Sequence, residues 1–230
     1  MSWLSNTISS TLGRKLVMAV TGIFLITFLV VHLIGNVSLI TDPTGLAFNQ
    51  YAHFMKTNPL IKLSEVILFA GFLFHSVDGI LLMSKNRKAR PVRYAVDNKS
   101  KTYSWTSKYM GPFGVVILVF LIIHLVDFFS YKYFRNDLLV KYMVDGTMID
   151  DLSTKVYSSF ANPLMVIFYT VSMVVIGLHL HHGFQSSFQS LGLNHKKYTP
   201  FIEKLGTAFA VIVPLGFALI PIIIFVNHIS

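Results

Sequence analysis

The chain has 230 residues, of which 53% are hydrophobic, and it carries a formal net charge of +9. Its mean hydropathy of +0.62 excludes an ordinary water-soluble domain and indicates a bundle of membrane helices. Because the chain contains no cysteine, disulfides, iron–sulfur ligation and a covalently attached c-type haem are excluded, and any redox centre must depend on histidine, methionine or carboxylate.

Five long apolar segments predict an all-α integral membrane protein that forms a single domain over residues 1–230. Each segment is long enough to cross a hydrocarbon core ~30 Å thick at ~1.5 Å per residue. The connecting segments 41–61, 85–108 and 134–158 are predicted to be loops. The predicted spans, I to V in chain order, cover residues 16–40, 60–84, 109–133, 163–192 and 205–228.

The basic residues are distributed unequally between the two ends of the predicted bundle. Thirteen of the 19 lysine and arginine residues fall on the side of the N-terminus, eight of them in the loop 85–108, and six fall on the opposite side. Cytoplasmic loops of membrane proteins carry the excess of lysine and arginine, so the N-terminus is predicted to be cytoplasmic. The first apolar segment is too long for a cleavable signal peptide, and no nucleic-acid-binding motif accompanies the positive charge.

Span IV carries an ionisable side chain at membrane depth. Asn162 and Pro163 are typical of a helix start, as N-cap and first helical residue, and no charge occurs from Leu164 to Ile176. His179 follows while the chain is still within the predicted span. A histidine there is costly and usually faces a protein interior or a cofactor.

The spans contain an internal repeat built around histidines. The run Phe-Leu-Val-Val-His-Leu contains His32 in span I, and Phe-Leu-Ile-Ile-His-Leu contains His124 in span III; each histidine has a glycine ten residues earlier, Gly22 or Gly114. Spans II and IV instead each carry a histidine followed by glycine four residues later: His75 with Gly79, and His179 with Gly183. Four residues is about one helical turn, so each of these glycines is expected beneath its histidine, where it leaves room for a flat macrocycle. The chain is therefore interpreted as a two-helix unit used twice, followed by a fifth helix.

The direction of each span places the four histidines at two depths. Spans I and III run outward and carry their histidines late, so His32 and His124 are predicted to meet toward the outer side. Spans II and IV run inward; His75 lies roughly 20 Å below the outer start of its helix, about 10 Å from the inner side, and His179 is predicted to lie beside it. Two imidazole pairs at two depths favour two metal centres, and two haem b groups with bis-histidine ligation fit that pattern.

At these positions the chain resembles the membrane-anchor cytochrome b subunit of succinate:quinone oxidoreductases, of the single-chain, five-helix, b558 type with two haems. The residues that carry the resemblance are His32 with Asn36, His75 with Gly79, His124, and the run HLHHGFQSSFQSLG that begins at His179. In that family the ligand in span IV is followed by glycine at four and thirteen residues, which Gly183 and Gly192 satisfy only for His179. The rival ligand is His182, which is otherwise expected to bond to a haem propionate or to a partner subunit.

The resemblance implies the partners and the localisation. A flavoprotein subunit with covalent FAD oxidises succinate, and an iron–sulfur subunit carries the electrons to the membrane. They then pass by the inner and the outer haem to a quinone, for this type menaquinone; the reverse direction supports fumarate reduction. The flavin active site lies in another subunit, and this chain is the haem- and quinone-binding subunit of a succinate dehydrogenase in the cytoplasmic membrane of a bacterium. The basic loop 85–108 is a candidate docking surface for the iron–sulfur subunit.

Fewer observations support the remaining site residues. Arg14 and Ser186 are candidate partners of the inner haem's propionates on grounds of depth. Quinone reduction needs a proton donor beside an apolar slot, and Glu65, one turn into span II on the outer side, is the candidate because a carboxylate in an apolar setting titrates near neutral pH. An acidic residue in the first turn of a helix is also favourable without any such role. Asn49, Gln50 and His53 are expected to line the same pocket.

Two other functions fit parts of the pattern. The cytochrome b subunit of a membrane hydrogenase or formate dehydrogenase also binds haem through histidines, but its histidine spacing differs and the Ser-Phe-Gln-Ser-Leu-Gly run would be unexplained. A haem-free anchor or proton-coupled transporter would use the four histidines to relay protons.

Overall fold

The computed structural model describes residues 10–88 and 105–229. The basic loop predicted as a docking surface lies mostly outside these described residues. The elements, in chain order, are α1 Thr11–Thr41, α2 Leu46–Thr57, α3 Pro59–Lys88, α4 Trp105–His124, a π-helical turn Leu125–Phe129, α5 Ser130–Tyr133, a 3-10 turn Asn136–Leu138, β1 Lys141–Val144, β2 Thr147–Asp150, α6 Leu152–Phe160, α7 Pro163–Ser190 and α8 Thr199–Ile229.

Within the described residues, five helices are long and apolar enough to cross a membrane, which confirms the predicted all-α, five-helix membrane bundle. Spans I to V correspond to α1, α3, α4 with its continuation through α5, α7 and α8. Three of them begin four or more residues earlier than predicted: α1 at Thr11, α4 at Trp105 and α8 at Thr199. The side chain of Ser10 accepts a hydrogen bond from the backbone N–H of Gly13, 3.0 Å away, and this cap sets the start of α1 before the basic pair that precedes the predicted span.

Four of these helices form a ring around a common axis. α1 contacts α3 and α7, and α4 contacts the same two helices, so α1 and α4 lie on one diagonal and α3 and α7 on the other. The fifth helix, α8, lies outside the ring and packs along α7 and against α1. Its contact with α7 is close, because Gly206 faces the ring of Phe184 and Gly177 faces the carbonyl oxygen of Ala210. Small residues at such contacts let membrane helices approach each other closely.

Gly177→Ala is expected to destabilise the protein by about 1–3 kcal/mol, the usual cost of overpacking a close contact. A methyl group at this position would lie 2.9 Å from the carbonyl oxygen of Ala210, so one of the two helices must move. The matched control is Gly71→Ala in α3, where the nearest side-chain atom, in Phe24, is 3.4 Å away. Thermal unfolding in detergent micelles measures both variants. Equal melting temperatures would contradict the close α7–α8 contact.

The segments 41–61 and 134–158 were predicted to be loops. The structure shows that they contain further secondary structure. The first holds α2, and the second holds the two strands and α6. These elements contact one another and form a cap at the end of the bundle opposite the N-terminus, called here the hairpin end. The prediction was wrong because a short helix and a short hairpin outside the membrane have no long apolar run to mark them.

The hairpin is a two-stranded antiparallel ribbon with a tight turn. Asp145 and Gly146 form that turn with φ angles of 47° and 78°, as a type I′ turn requires at both central residues. Asp-Gly is a preferred sequence for this turn, so the pattern that predicts the hairpin is present in the chain. The strand register pairs Lys141 with Asp150, Tyr142 with Ile149, Met143 with Met148 and Val144 with Thr147.

One buried side chain joins the parts of the cap. Asn49 of α2 is 1% exposed, and its amide nitrogen lies 3.0 Å from the hydroxyl of Tyr142, 2.9 Å from Oδ1 of Asp151 and 3.1 Å from the hydroxyl of Ser153. Its amide oxygen accepts a hydrogen bond from the backbone N–H of Ser153 at 2.8 Å. Asn49 therefore links α2 to β1 and to the start of α6. The prediction that Asn49 lines an open pocket was wrong, because its side chain is buried.

Span III changes its winding immediately after His124. Leu125–Phe129 form a π-helical turn, and regular α-helix resumes at Ser130. A π turn places an extra residue in the helix and occurs frequently at functional sites. Within this turn, Oδ1 of Asp127 is 2.6 Å from Nζ of Lys155 in α6, so the turn is tied to the cap by an ion pair.

Candidate cofactor site formed by two histidine pairs

The four histidines form two pairs, one on each diagonal of the ring. The ring centroids of His32 in α1 and His124 in α4 are 5.8 Å apart, and those of His75 in α3 and His179 in α7 are 6.4 Å apart. His75 contacts Thr21 of α1, which is eleven residues before His32, so the two pairs are separated by roughly 16 Å along α1. The structure thus brings together the histidines that the repeat matches, at two levels of the bundle.

The spacing within each pair suits a shared metal. A metal held about 2 Å from one nitrogen of each imidazole leaves the centroids of two opposed rings roughly 6 Å apart, and the observed separations are 5.8 and 6.4 Å. Among the described residues, no group of three or more His, Cys, Asp or Glu side chains is placed to hold a metal ion. A haem iron takes only its two axial ligands from the protein, so the two pairs are the candidate site.

The pair at the N-terminal end lies against two glycines. A methyl group at Gly22 of α1 would lie 3.5 Å from Cε1 of His75, and one at Gly114 of α4 would lie 3.9 Å from Cε1 of His179. These glycines precede the histidines of their own helices by ten residues, but they lie beside the rings of the neighbouring helices. The repeat in the sequence is therefore also present in the structure. The glycine of α1 lies beside the histidine of α3, and the glycine of α4 lies beside the histidine of α7.

The glycines four residues after His75 and His179 are not at close helix–helix contacts. A methyl group at Gly79 would lie 3.7 Å from the terminal methyl of Met18, and one at Gly183 would lie 3.9 Å from that of Met110. Both are ordinary contacts, whereas the glycine at the α7–α8 contact, Gly206, would place a methyl 2.6 Å from a phenyl ring. Helix packing therefore does not explain Gly79 and Gly183. The neighbour of each glycine is the end of a flexible methionine side chain, Met18 or Met110.

Aromatic rings surround the pair at the hairpin end. Phe28 stacks on His32 with ring centroids 5.1 Å apart, and Phe120 stacks on His124 at 5.8 Å, so each repeat places a phenyl ring one turn before its histidine. Phe217 of α8 lies 5.5 Å from the ring of His32. The fifth helix therefore contributes to the surroundings of this pair, in which both histidines are partly buried.

The ring nitrogens have unequal partners. The Nδ1 atoms of three histidines each have one polar neighbour: Thr21 Oγ1 at 3.2 Å from His75, Asn36 Nδ2 at 3.4 Å from His32, and the Tyr169 hydroxyl at 3.5 Å from His124. Nδ1 of His179 is buried and has no hydrogen-bond partner among the described residues. A buried polar atom without a partner costs about 1–3 kcal/mol. A further bond would therefore stabilise the ring of His179 more than the rings of the other three histidines. Sequence analysis missed Thr21 and Tyr169, because no motif shows which side chain of a neighbouring helix reaches a ring nitrogen.

The other residues predicted at the N-terminal end lie on α7 and α1. His179 rather than His182 faces the opposite histidine of the pair. His182 and Ser186 are partly buried and lie further along α7 toward the N-terminal end. Nη1 of Arg14 is 3.0 Å from Oδ1 of Asp78, and both side chains are about four-fifths buried. An anionic group bound here would share Arg14 with Asp78.

Glu65 lies near the hairpin end, but not in the apolar setting predicted for it. Its Oε2 accepts hydrogen bonds from Nζ of Lys132 at 3.2 Å and from the hydroxyl of Tyr133 at 3.0 Å. It is also the seventh residue of α3, beyond the first helical turn, so the alternative of a favourable helix-start charge does not apply. A role of Glu65 in quinone protonation stays a prediction.

Fold and site together define a class of protein: a five-span membrane bundle with two histidine pairs at two levels between four of its helices. Comparisons of the chain with protein-family models, with curated proteins and with solved structures found no match. The function is therefore inferred from the site itself.

Proposed function

We propose that this chain is the di-haem cytochrome b membrane anchor of a succinate:quinone oxidoreductase. The observation that carries the proposal is the placement of two imidazole pairs, 5.8 and 6.4 Å between centroids, on crossed diagonals of one bundle. The contacts at Gly79 and Gly183 are compatible with it, because only flexible methionine ends lie against these glycines. A proton relay has no need of two such pairs at similar separations at two levels of the bundle.

The chain's own residues would hold the two groups. His75 and His179 would ligate one haem b at the N-terminal end, and His32 and His124 would ligate the other at the hairpin end. When bound, haem with two histidine ligands supplies reversible one-electron transfer and leaves no open position for oxygen. The imidazoles would orient the groups, and the phenyl rings of Phe28 and Phe120 would pack beside the pair at the hairpin end. The candidate partners of the propionates at the N-terminal end are Arg14, His182 and Ser186.

The partner subunits would dock at the N-terminal end of the bundle. The excess of lysine and arginine on that side supports a cytoplasmic location for it, in a multi-pass protein of the bacterial inner membrane. The chain has no cysteine for an iron–sulfur cluster and no dinucleotide-binding glycine motif, so in this proposal the iron–sulfur centres and the FAD would belong to other subunits. Lys88, Lys196 and Lys197 are exposed at this end and are available to an acidic partner surface.

Quinone, for this type menaquinone, would react near the hairpin end. There Glu65, Lys132 and Tyr133 form one hydrogen-bonded cluster at the ends of α3 and span III. A carboxylate and a phenol in contact are able to exchange protons with a substrate oxygen. In this proposal electrons enter at the opposite end of the bundle, and fumarate reduction would use the reverse direction.

The experiment that tests the proposal is purification of the tagged chain with its accompanying subunits, followed by a reduced-minus-oxidised spectrum and a haem assay per polypeptide. We expect two haem b groups per chain and a co-purified flavoprotein that oxidises succinate. Haem without succinate oxidation would instead favour the cytochrome b subunit of a hydrogenase or formate dehydrogenase. A chain without visible absorbance would refute both cytochrome functions and leave the proton relay.

A further inference from the structure

One turn of α1 is packed against the imidazole of His75. The hydroxyl oxygen of Thr21 lies 3.2 Å from Nδ1 of His75. The next residue, Gly22, has no side chain, and a methyl group there would already contact Cε1 of the same ring at 3.5 Å. The ring is therefore close enough to α1 for a side chain of that helix to determine which of its nitrogens carries the proton.

The hydroxyl proton of Thr21 is already committed to the backbone. Its oxygen lies 2.7 Å from the carbonyl oxygen of Val17, one turn earlier, and donates to it. A hydroxyl has one proton and two lone pairs. The oxygen of Thr21 therefore accepts a hydrogen bond from the ring of His75. The carbonyl oxygen of Met18, 3.3 Å from the same hydroxyl oxygen, is a second backbone acceptor for the Thr21 proton. His75 then carries its proton on Nδ1, and its Nε2 is unprotonated and able to bind a metal.

The other three histidines lack this arrangement. Nδ1 of His32 faces the amide nitrogen of Asn36 at 3.4 Å, and that nitrogen also donates to the carbonyl of His32 at 2.8 Å. Nδ1 of His124 is 3.5 Å from the hydroxyl of Tyr169, which is the limit of a hydrogen bond. Nδ1 of His179 has no partner within the described part of the chain. The fold therefore sets the tautomer most firmly at one ring of the four.

We propose that Thr21 is a positioning residue that holds His75 in the metal-binding tautomer and thereby lowers the reduction potential of the group bound between His75 and His179. The proposal rests on the proposed function, because it requires a haem iron in that pair. A hydrogen-bond acceptor on Nδ1–H makes an imidazole a stronger donor to a metal. The stronger donor stabilises the ferric state, which carries the higher charge, more than the ferrous state.

The experiment compares Thr21→Val with Thr27→Val in the purified complex. Valine keeps the shape of threonine and removes the hydroxyl. Thr27 lies in the same helix, and its exposed hydroxyl donates to the carbonyl of Ile23 at 3.0 Å rather than to a ring nitrogen, so it is the matched control. Redox titration followed by absorbance gives the two midpoint potentials, and electron paramagnetic resonance gives the low-spin ferric signals.

For Thr21→Val we expect one midpoint to rise and the other to stay. Loss of a partner that orients a metal ligand typically weakens metal affinity by about 10–100-fold. Each tenfold loss of ferric over ferrous affinity raises a one-electron potential by about 59 mV. The ferric signal of the same haem should shift, Thr27→Val should match the unmodified chain in both readouts, and Thr21→Ser should restore the original potential because it restores the acceptor.

Two unchanged midpoints and unchanged ferric signals in Thr21→Val would overturn the proposal. Absence of haem from the unmodified chain would overturn the proposed function instead, so the two failures are distinguishable. If Thr21→Val binds a single haem, the haem content of Thr21→Ser distinguishes the explanations. Two haems in Thr21→Ser support the role of the hydroxyl, and a single haem in Thr21→Ser contradicts it.

Discussion

The His179→Ala variant is expected to bind one haem per chain, whereas His182→Ala is expected to bind two. His179 faces His75 with ring centroids 6.4 Å apart, and its buried Nδ1 has no other partner in the described part of the chain. Its removal therefore leaves the pair at the N-terminal end with a single imidazole. His182 is partly buried about one turn further along the same helix, so its loss is expected to remove no ligand. The pyridine haemochrome absorbance per purified polypeptide measures the count.

A matched variant at the other level makes this test sharper. His124→Ala should also leave one haem, but the remaining group is then the one between His75 and His179, with its own midpoint potential. The double variant His124→Ala/His179→Ala should bind none. Equal loss of haem in His179→Ala and His182→Ala would contradict the choice of ligand. Loss of both haems in each single variant would contradict two independently ligated sites.

Asn49→Ala is expected to cost about 2–3 kcal/mol of stability, because it leaves buried polar groups without partners. The amide of Asn49 lies within hydrogen-bond distance of Tyr142, Asp151 and Ser153, and it is 1% exposed. Gln50→Ala is the control, since Gln50 is the next residue of α2 and its side chain is exposed. Thermal unfolding in detergent, with the haem content measured in parallel, separates damage to the cap from damage to the site. Equal melting temperatures for the two variants would contradict a structural role for Asn49.

The same variant has an expected pH dependence. Burial by itself raises the pKa of Asp151, but hydrogen bonds from Thr154, Asn49 and Ser153 outweigh it and hold the pKa below its ordinary value of 3.8. A carboxyl with a lowered pKa in the folded state stabilises the fold above its unfolded pKa, and that contribution is lost as the pH falls through the folded pKa. Asn49→Ala removes part of this contribution. The difference in melting temperature between variant and unmodified chain should therefore narrow below pH 3.8.

The membrane helices and the pairing of their histidines follow from the sequence for a physical reason. Lipid requires long apolar helices, so hydropathy predicts the five spans. Within them, the repeated contexts of His32 and His124 and the spacing of His75 and His179 from their glycines predict which rings meet. Direction along the chain then gives two levels, and the structure places the four rings at two levels.

The parts that could not be predicted depend on contacts between distant segments. The start of α1 is set by the cap at Ser10, since basic residues are tolerated in a first turn that lies at the membrane surface. The cap at the hairpin end depends on Asn49 meeting residues about a hundred positions later. Thr21 and Tyr169 reach ring nitrogens because of how each helix is rotated about its axis, and periodicity alone does not fix that rotation. The setting predicted for Glu65 was wrong because Lys132 and Tyr133 reach it from another span.

The π turn at Leu125–Phe129 has a consequence for how this protein tolerates insertions and deletions. An α-helix advances by about 100° per residue, and the wider winding of the π turn absorbs one additional residue. His124 contacts His32 across the bundle, whereas Lys132 and Tyr133 contact Glu65 on α3. Deleting one residue within the turn would convert it to regular α-helix and keep Lys132 and Tyr133 facing Glu65. Deleting one residue elsewhere between His124 and Tyr133 would rotate them away by about 100°.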